Sequence, residues 1–272
     1  MRYIAVFLAV LAILPVATEA TQWGSRMLAY GLNTSQDNYP TGIMLDGTAY
    51  TVTSGVSSKL WRHTYYTAYG WRPGIICRFP DVKAVTIDPT TTTKAITVRG
   101  AGICWVSSSD GLNWTWGSIL TAWKRVSPRV PVDITCAWHG PGKCLYATYS
   151  DRKIFYDTYP YNKPKEITNL GPLGISSWLA VRDTGDYMII SDGSNLYEST
   201  GSGGSWSTRK LIPEVNTADN ERHPILGAIE GRNILLWSAP RVGYGSDIWY
   251  SKGDPNVPVK STSLGRVRAI FH

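Results

Sequence analysis

Three arginines each stand two places before a proline, in Arg78-Phe79-Pro80, Arg129-Val130-Pro131 and Arg222-His223-Pro224. A guanidinium offers planar paired N–H donors that match a carboxylate or sulfate, so three at equivalent places would form an anion-binding funnel. Arg99 is a fourth candidate for the same task. The formal net charge of +7 also favours acidic partners. Because the charges are scattered rather than gathered in a polybasic tract, nucleic acid is not the expected ligand. Twelve Trp and sixteen Tyr serve either as core and strand residues or as platforms on which sugars stack. Other chemistry is thin. His63, His139, His223 and His272 lack metal-ligand spacing, and the "GSGGS" of Gly201 to Ser205 lacks the Lys and helix of a phosphate loop. No Gly-x-Ser-x-Gly elbow is present, so no metal, cofactor or serine-hydrolase centre is expected.

The elements that must position these groups are strands. Short runs rich in Val, Ile, Thr, Tyr and Trp alternate with Gly, Pro, Asn and Asp clusters, which is an all-β pattern. One strand type recurs five times, as "KLWRH", "GICWV", "KIFYD", "NLYES" and "DIWYS". Its aliphatic positions are Leu60, Ile103, Ile154, Leu196 and Ile248, at intervals of 43, 51, 42 and 52 residues. Before each lies a second strand ("TAYTV", "KAITV", "CLYAT", "YMIIS", "ILLWS") and before that a third ("GIMLD", "AVTID", "ITCAW", "WLAVR", "ILGAI"), joined by turn-like links such as "DGT", "DTGD" and "EGRN". Such a period is that of a β-propeller with five blades of four antiparallel strands. The fourth strands would be less regular, as in "GIICRF" and "TRKLI". The terminal "GRVRAIFH" pairing with "RMLAYGL" would tie the ends together; as a blade of their own they would make six.

Residues 1–20 read as a signal peptide, with a basic start, an apolar run broken by Pro15, and cleavage after Ala20. The remainder, 21–272, reads as one propeller domain, secreted and without a membrane span. Four cysteines suit that compartment. Cys136 and Cys144 flank "AWHGPGK" and would pair across the hairpin, leaving Cys77 for Cys104, although four cysteines allow three connectivities. Asn33-Thr34-Ser35 and Asn113-Trp114-Thr115 are glycosylation sequons.

The stretch Ser107-Ser108-Ser109-Asp110-Gly111-Leu112-Asn113-Trp114 resembles the Asp-box, a Ser-x-Asp-x-Gly-x-Thr-Trp hairpin of sialidase-superfamily propellers. Ser199 to Trp206 echoes it, with Ser199, Gly203 and Trp206 at matching places, and the first repeat retains only Trp71. Both stretches lack Asp at the third position; Asp110 stands one place late. The resemblance implies a structural role for these boxes. Cys77-Arg78-Phe79-Pro80 is also similar to the Arg-Ile-Pro segment of sialidases, which implies Arg78 as a clamp on a substrate carboxylate. The rest of a sialidase centre is less apparent: no acid/base Asp follows the second strand, and Tyr244 or Tyr250 with Glu214, Glu221 or Glu230 are only candidate Tyr–Glu pairs.

The expected function is non-catalytic binding of carbohydrate or another anionic extracellular ligand. A sialidase-like glycoside hydrolase and an extracellular scaffold for protein partners are the alternatives.

Overall fold

The computed structural model describes residues 22–54, 58–80, 82–91, 93–126, 130–140, 142–171, 173–174, 177–241 and 245–253. Residues 1–20, expected to be a signal peptide, lie outside the described residues, as do Arg129, Tyr244, His272 and "GRVRAIFH". The strands form the five antiparallel sheets of a five-bladed propeller. Blade 1 holds Asn38–Ile43, Ala49–Thr53, Lys59–His63 and Ile75–Cys77; blade 2 holds Val85–Ile87, Lys94–Arg99, Gly102–Ser108 and Trp114–Ile119. Blade 3 runs Pro131–Ala137, Cys144–Tyr149, Ile154–Thr158 and Lys165–Ile167. Blade 4 runs Trp178–Val181, Tyr187–Ser191, Leu196–Ser202 and Lys210–Leu211, and blade 5 has Arg222–Ile229, Arg232–Arg241 and Gly245–Lys252.

Each first strand packs against the first strands of both neighbouring blades, so these five line the axis. Side chains stitch them: Thr41 Oγ1 donates to the Val85 carbonyl (2.8 Å), and Asp133 accepts from the Leu179 amide (2.8 Å). One apolar cluster fills each of the five blade interfaces. The aliphatic residues that marked the period, Leu60, Ile103, Ile154, Leu196 and Ile248, are at most 1% exposed. Burying a side chain of that size stabilises by roughly 1.5–3 kcal/mol, which explains why the period survives where loops diverge.

Among the described residues the ring closes with five blades. Met27–Leu28, within "RMLAYGL", is the fourth strand of blade 5, with Met27 opposite Tyr250 and Leu28 opposite Trp249. Asn33 secures this closure. Its Nδ2 donates to the carbonyls of Ala29 (3.2 Å) and Ile248 (3.1 Å), and its Oδ1 accepts from the Ile248 amide (2.6 Å). Both amide hydrogens are therefore engaged, and Asn33 acts here as a staple. Asn113 is exposed, with Nδ2 donating to Asp110 Oδ2 (2.6 Å).

The expected disulfides are corrected as well. All four cysteines are buried thiols. Cys136 is opposite Leu145 and Cys144 opposite Ala137, a slip of one residue. Successive strand residues face opposite ways, so Cys136 packs towards blade 2 and Cys144 towards blade 4. Cys77 lies beside the Gly111 carbonyl (3.7 Å) at the hairpin end of blade 2. Cys104 lies beside the Thr97 carbonyl (3.8 Å), four residues before Ser108 on the same strand and thus ~13 Å from where that hairpin begins. A disulfide needs Cα atoms closer than about 7 Å.

Candidate functional site

Of the predicted arginines, the three that are described, Arg78, Arg99 and Arg222, do not converge. Arg222 opens the innermost strand of blade 5, whereas Arg78 follows the outermost strand of blade 1. The Arg78 amide donates to the Leu112 carbonyl (2.7 Å) and its carbonyl accepts from the Trp114 amide (2.8 Å), leaving its side chain exposed at the outer edge. Arg99 ends the second strand of blade 2, with its guanidinium 4.4 Å from the Trp116 ring. The Arg-x-Pro repeat is thus a sequence coincidence at Arg78 and Arg222, not a structural equivalence.

At the channel mouth Arg222 sits 5.7 Å from the Trp178 ring, and His223 is wedged between Tyr39 and Trp178, each ring centroid 4.4 Å away. The register shifts between Arg222 and Ile225, and His223 takes φ +49°. Such a bulge re-aims a side chain, here to plug the axis. Burial, then the Arg222 charge, pushes the His223 pKa down to about 3, so the plug is neutral. Burial likewise pushes the Asp133 carboxyl up to about 7, against the lowering effect of the Leu179 and Ile134 amides.

The two box-like hairpins are joints. In the first, Asp110 accepts from the amides of Leu112 and Asn113 (2.8 Å each), and Ser108 Oγ accepts from the Gly111 amide (2.9 Å). The amides of Asn113 and then Leu112 hold the Asp110 carboxyl well below the usual carboxylate range. Its one-place displacement in sequence therefore leaves it at work in the turn. Trp114 Nε1 donates to the Gly111 carbonyl (3.3 Å), which also accepts from Tyr50 of blade 1 (3.2 Å). In the second hairpin Trp206 Nε1 donates to the Gly203 carbonyl (2.9 Å), and the ring meets Tyr146 of blade 3 edge-on. Gly111 (φ +71°) and Gly203 (φ +56°) supply the left-handed turn that both indole bonds require. Ser107 Oγ makes no such turn contact, but Ser199 Oγ donates to the Ser207 carbonyl (2.8 Å). These residues hold blades together.

The strongest candidate site is a cleft of about 580 Å³ at the junction of blades 5 and 1. Blade 1 contributes a hairpin inserted between its third and fourth strands, Tyr65–Tyr66 paired with Gly70–Trp71. Trp71 is fixed by its Nε1 donating to the Gly47 carbonyl (3.0 Å) and lies edge-on to both Tyr65 (5.4 Å) and Tyr250 (5.6 Å). Tyr69 and Tyr30 stand at the rim, 76% and 80% exposed. Blade 5 contributes Glu230, Arg232 and Lys252 to the lining. Glu230 and Gly231 form a two-residue turn with φ +52° and +75°, which carries Glu230 out at the tip. Asn, Asp or Gly is the usual first residue of such a turn, so a left-handed Glu is a local cost. Burial, then the Glu230 charge, raises the Tyr65 pKa.

Of the candidate Tyr–Glu pairs, Tyr250 and Glu230 share this cleft. Glu221 is instead buried at the start of blade 5, accepting from the Thr217 amide (3.0 Å) and hydroxyl (2.6 Å), and Glu214 is not in the lining. Tyr65, Tyr69, Arg232 and Lys252 do not stand out in the sequence and Trp71 stands out only as a box remnant, although "YYTAYGW" packs four aromatic residues into seven positions.

Comparison of the sequence with protein-family models and with curated proteins gives no match. Among solved structures, the chain overlays the Bacteroides ovatus xyloglucan GH43B protein at 12% identity and TM-score 0.57, covering 84% of this chain and 54% of that one. An exo-1,5-α-L-arabinanase from a bovine ruminal metagenomic library matches at 11% identity and TM-score 0.51, covering 82% and 94%. A Trypanosoma rangeli sialidase gives 9% identity and TM-score 0.41, covering 86% and 56%. At these identities the likeness is one of fold. Among the described residues no helix is long and apolar enough to cross a membrane.

Proposed function

We propose that this protein is a secreted, non-catalytic saccharide-binding propeller whose ligand lies in the cleft between blades 5 and 1. One observation carries the reading: the cleft gathers Tyr65, Tyr69, Trp71 and Tyr250 around one carboxylate and two cations. Sugars present apolar C–H faces and a fringe of hydroxyls, which suit aromatic rings flanked by tyrosine hydroxyls and charged side chains. The volume falls within the range of ligand pockets, roughly 300–1,000 Å³. Two of the overlaid propellers are named for xyloglucan and arabinan, which agrees with a saccharide on this architecture, although fold alone assigns no function.

Binding is favoured over hydrolysis because Glu230 is the one carboxylate among the described lining residues, and most glycosidases need two carboxylates flanking the bond. The test is a glycan array on the full chain produced through its own leader, beside fluorogenic glycoside assays. Wild-type protein is expected to bind a saccharide that Tyr69→Ala and Tyr250→Ala no longer bind, without turnover. Turnover lost in Glu230→Gln would overturn the non-catalytic reading.

A further inference from the structure

The cleft is asymmetric in charge. Arg232 and Lys252 stand on the same face of blade 5, since Arg232 is two positions before Ile234 and Ile234 is directly opposite Lys252. Both are exposed, and neither forms an ion pair or side-chain hydrogen bond with another described residue. Glu230, at the turn tip, is the nearer charge to Tyr65 on the blade 1 side. Two cations therefore face one carboxylate, and concave walls concentrate the resulting field.

Resting on the saccharide reading, we propose that the ligand is an acidic saccharide whose anionic substituent is held by Arg232 and Lys252. Glu230, at the turn tip beyond Arg232, and the hydroxyls of Tyr65 and Tyr250 take the sugar hydroxyls on either side of this pair, and Trp71 sets the spacing of the two tyrosine rings. Arg232 supplies the planar fork suited to a carboxylate or sulfate, while Lys252 acts as a point charge. This arrangement needs none of the Arg-x-Pro arginines.

The test is isothermal titration of the full chain with matched saccharides. One pair is an oligogalacturonate and its methyl ester; the other is a sulfated oligosaccharide and its desulfated form. The acidic member is expected to bind at least about tenfold tighter than its neutral partner, the effect of one charge-assisted contact, and the gap is expected to shrink with added salt. Arg232→Gln and Lys252→Gln are expected to remove that preference, and an unfolding midpoint within a few degrees of wild type shows that the variants are folded. Preference for uronate assigns a carboxylate and preference for the sulfated member a sulfate ester; either supports the proposal. Equal binding of acidic and neutral members, with unchanged selectivity in Arg232→Gln, overturns the proposal but leaves the saccharide reading. Failure of the wild type to bind any member or any arrayed glycan overturns both.

Discussion

Replacing Asp133 by Asn tests the electrostatics of the axial channel. Asp133 is half-buried on the innermost strand of blade 3 and accepts the Leu179 amide of blade 4. Burial raises its pKa from 3.8 to about 7. A carboxyl raised in the folded state binds more protons folded than unfolded between those values. Its stabilising contribution is therefore present below about pH 4 and is lost as pH rises through about 7. Three pKa units at about 1.4 kcal/mol each give an upper bound of about 4 kcal/mol, and the partial exposure of Asp133 reduces it towards about 2. Asn keeps the carbonyl that Leu179 needs and carries no charge. Urea unfolding should show Asp133→Asn within about 1 kcal/mol of wild type near pH 4, and about 2–4 kcal/mol more stable near pH 8.5. A difference that does not change with pH, or a variant less stable at the higher pH, would refute the reasoning.

Three further outcomes follow from the packing. Asn33→Ala removes three hydrogen bonds at the ring closure and should cost about 1–3 kcal/mol in chemical unfolding. Mass spectrometry of the protein expressed through a eukaryotic secretory pathway should find Asn33 without glycan, since both its amide hydrogens are engaged. Cys136 and Cys144 should both alkylate in denaturant without reductant, because they face different blade interfaces; a peptide joining them would contradict the register. Trp114→Ala should destabilise by about 3–5 kcal/mol, since the ring is buried in the joint between blades 1 and 2, whereas a loss below about 1 kcal/mol would mean that the hairpin is peripheral.

The repeat was legible because core positions cannot drift. Leu60, Ile103, Ile154, Leu196 and Ile248 each plug one blade, and any polar replacement there would bury an unsatisfied group. The hairpins at Trp114 and Trp206 were legible for a related reason: each needs a left-handed glycine three residues before the indole. The arginines misled because Pro marks a bend, not a location in the blade, so Arg78 lies at the outer edge and Arg222 at the axis. The cysteines misled because hairpin spacing does not reveal a one-residue slip, and that slip decides which face each thiol meets. The cleft was hidden for topological reasons. It is assembled from segments around residues 28–31, 65–71, 229–234 and 250–252, which meet only when the last blade closes on the first.

Titration of the tightest-binding array saccharide into wild type, Tyr250→Ala and Arg222→Ala separates the cleft from the channel mouth. The account predicts that Tyr250→Ala loses at least about tenfold in affinity, a change of about 1.4 kcal/mol, while Arg222→Ala binds as wild type does. Unchanged affinity in Tyr250→Ala together with loss in Arg222→Ala would place the ligand at the axis and contradict it.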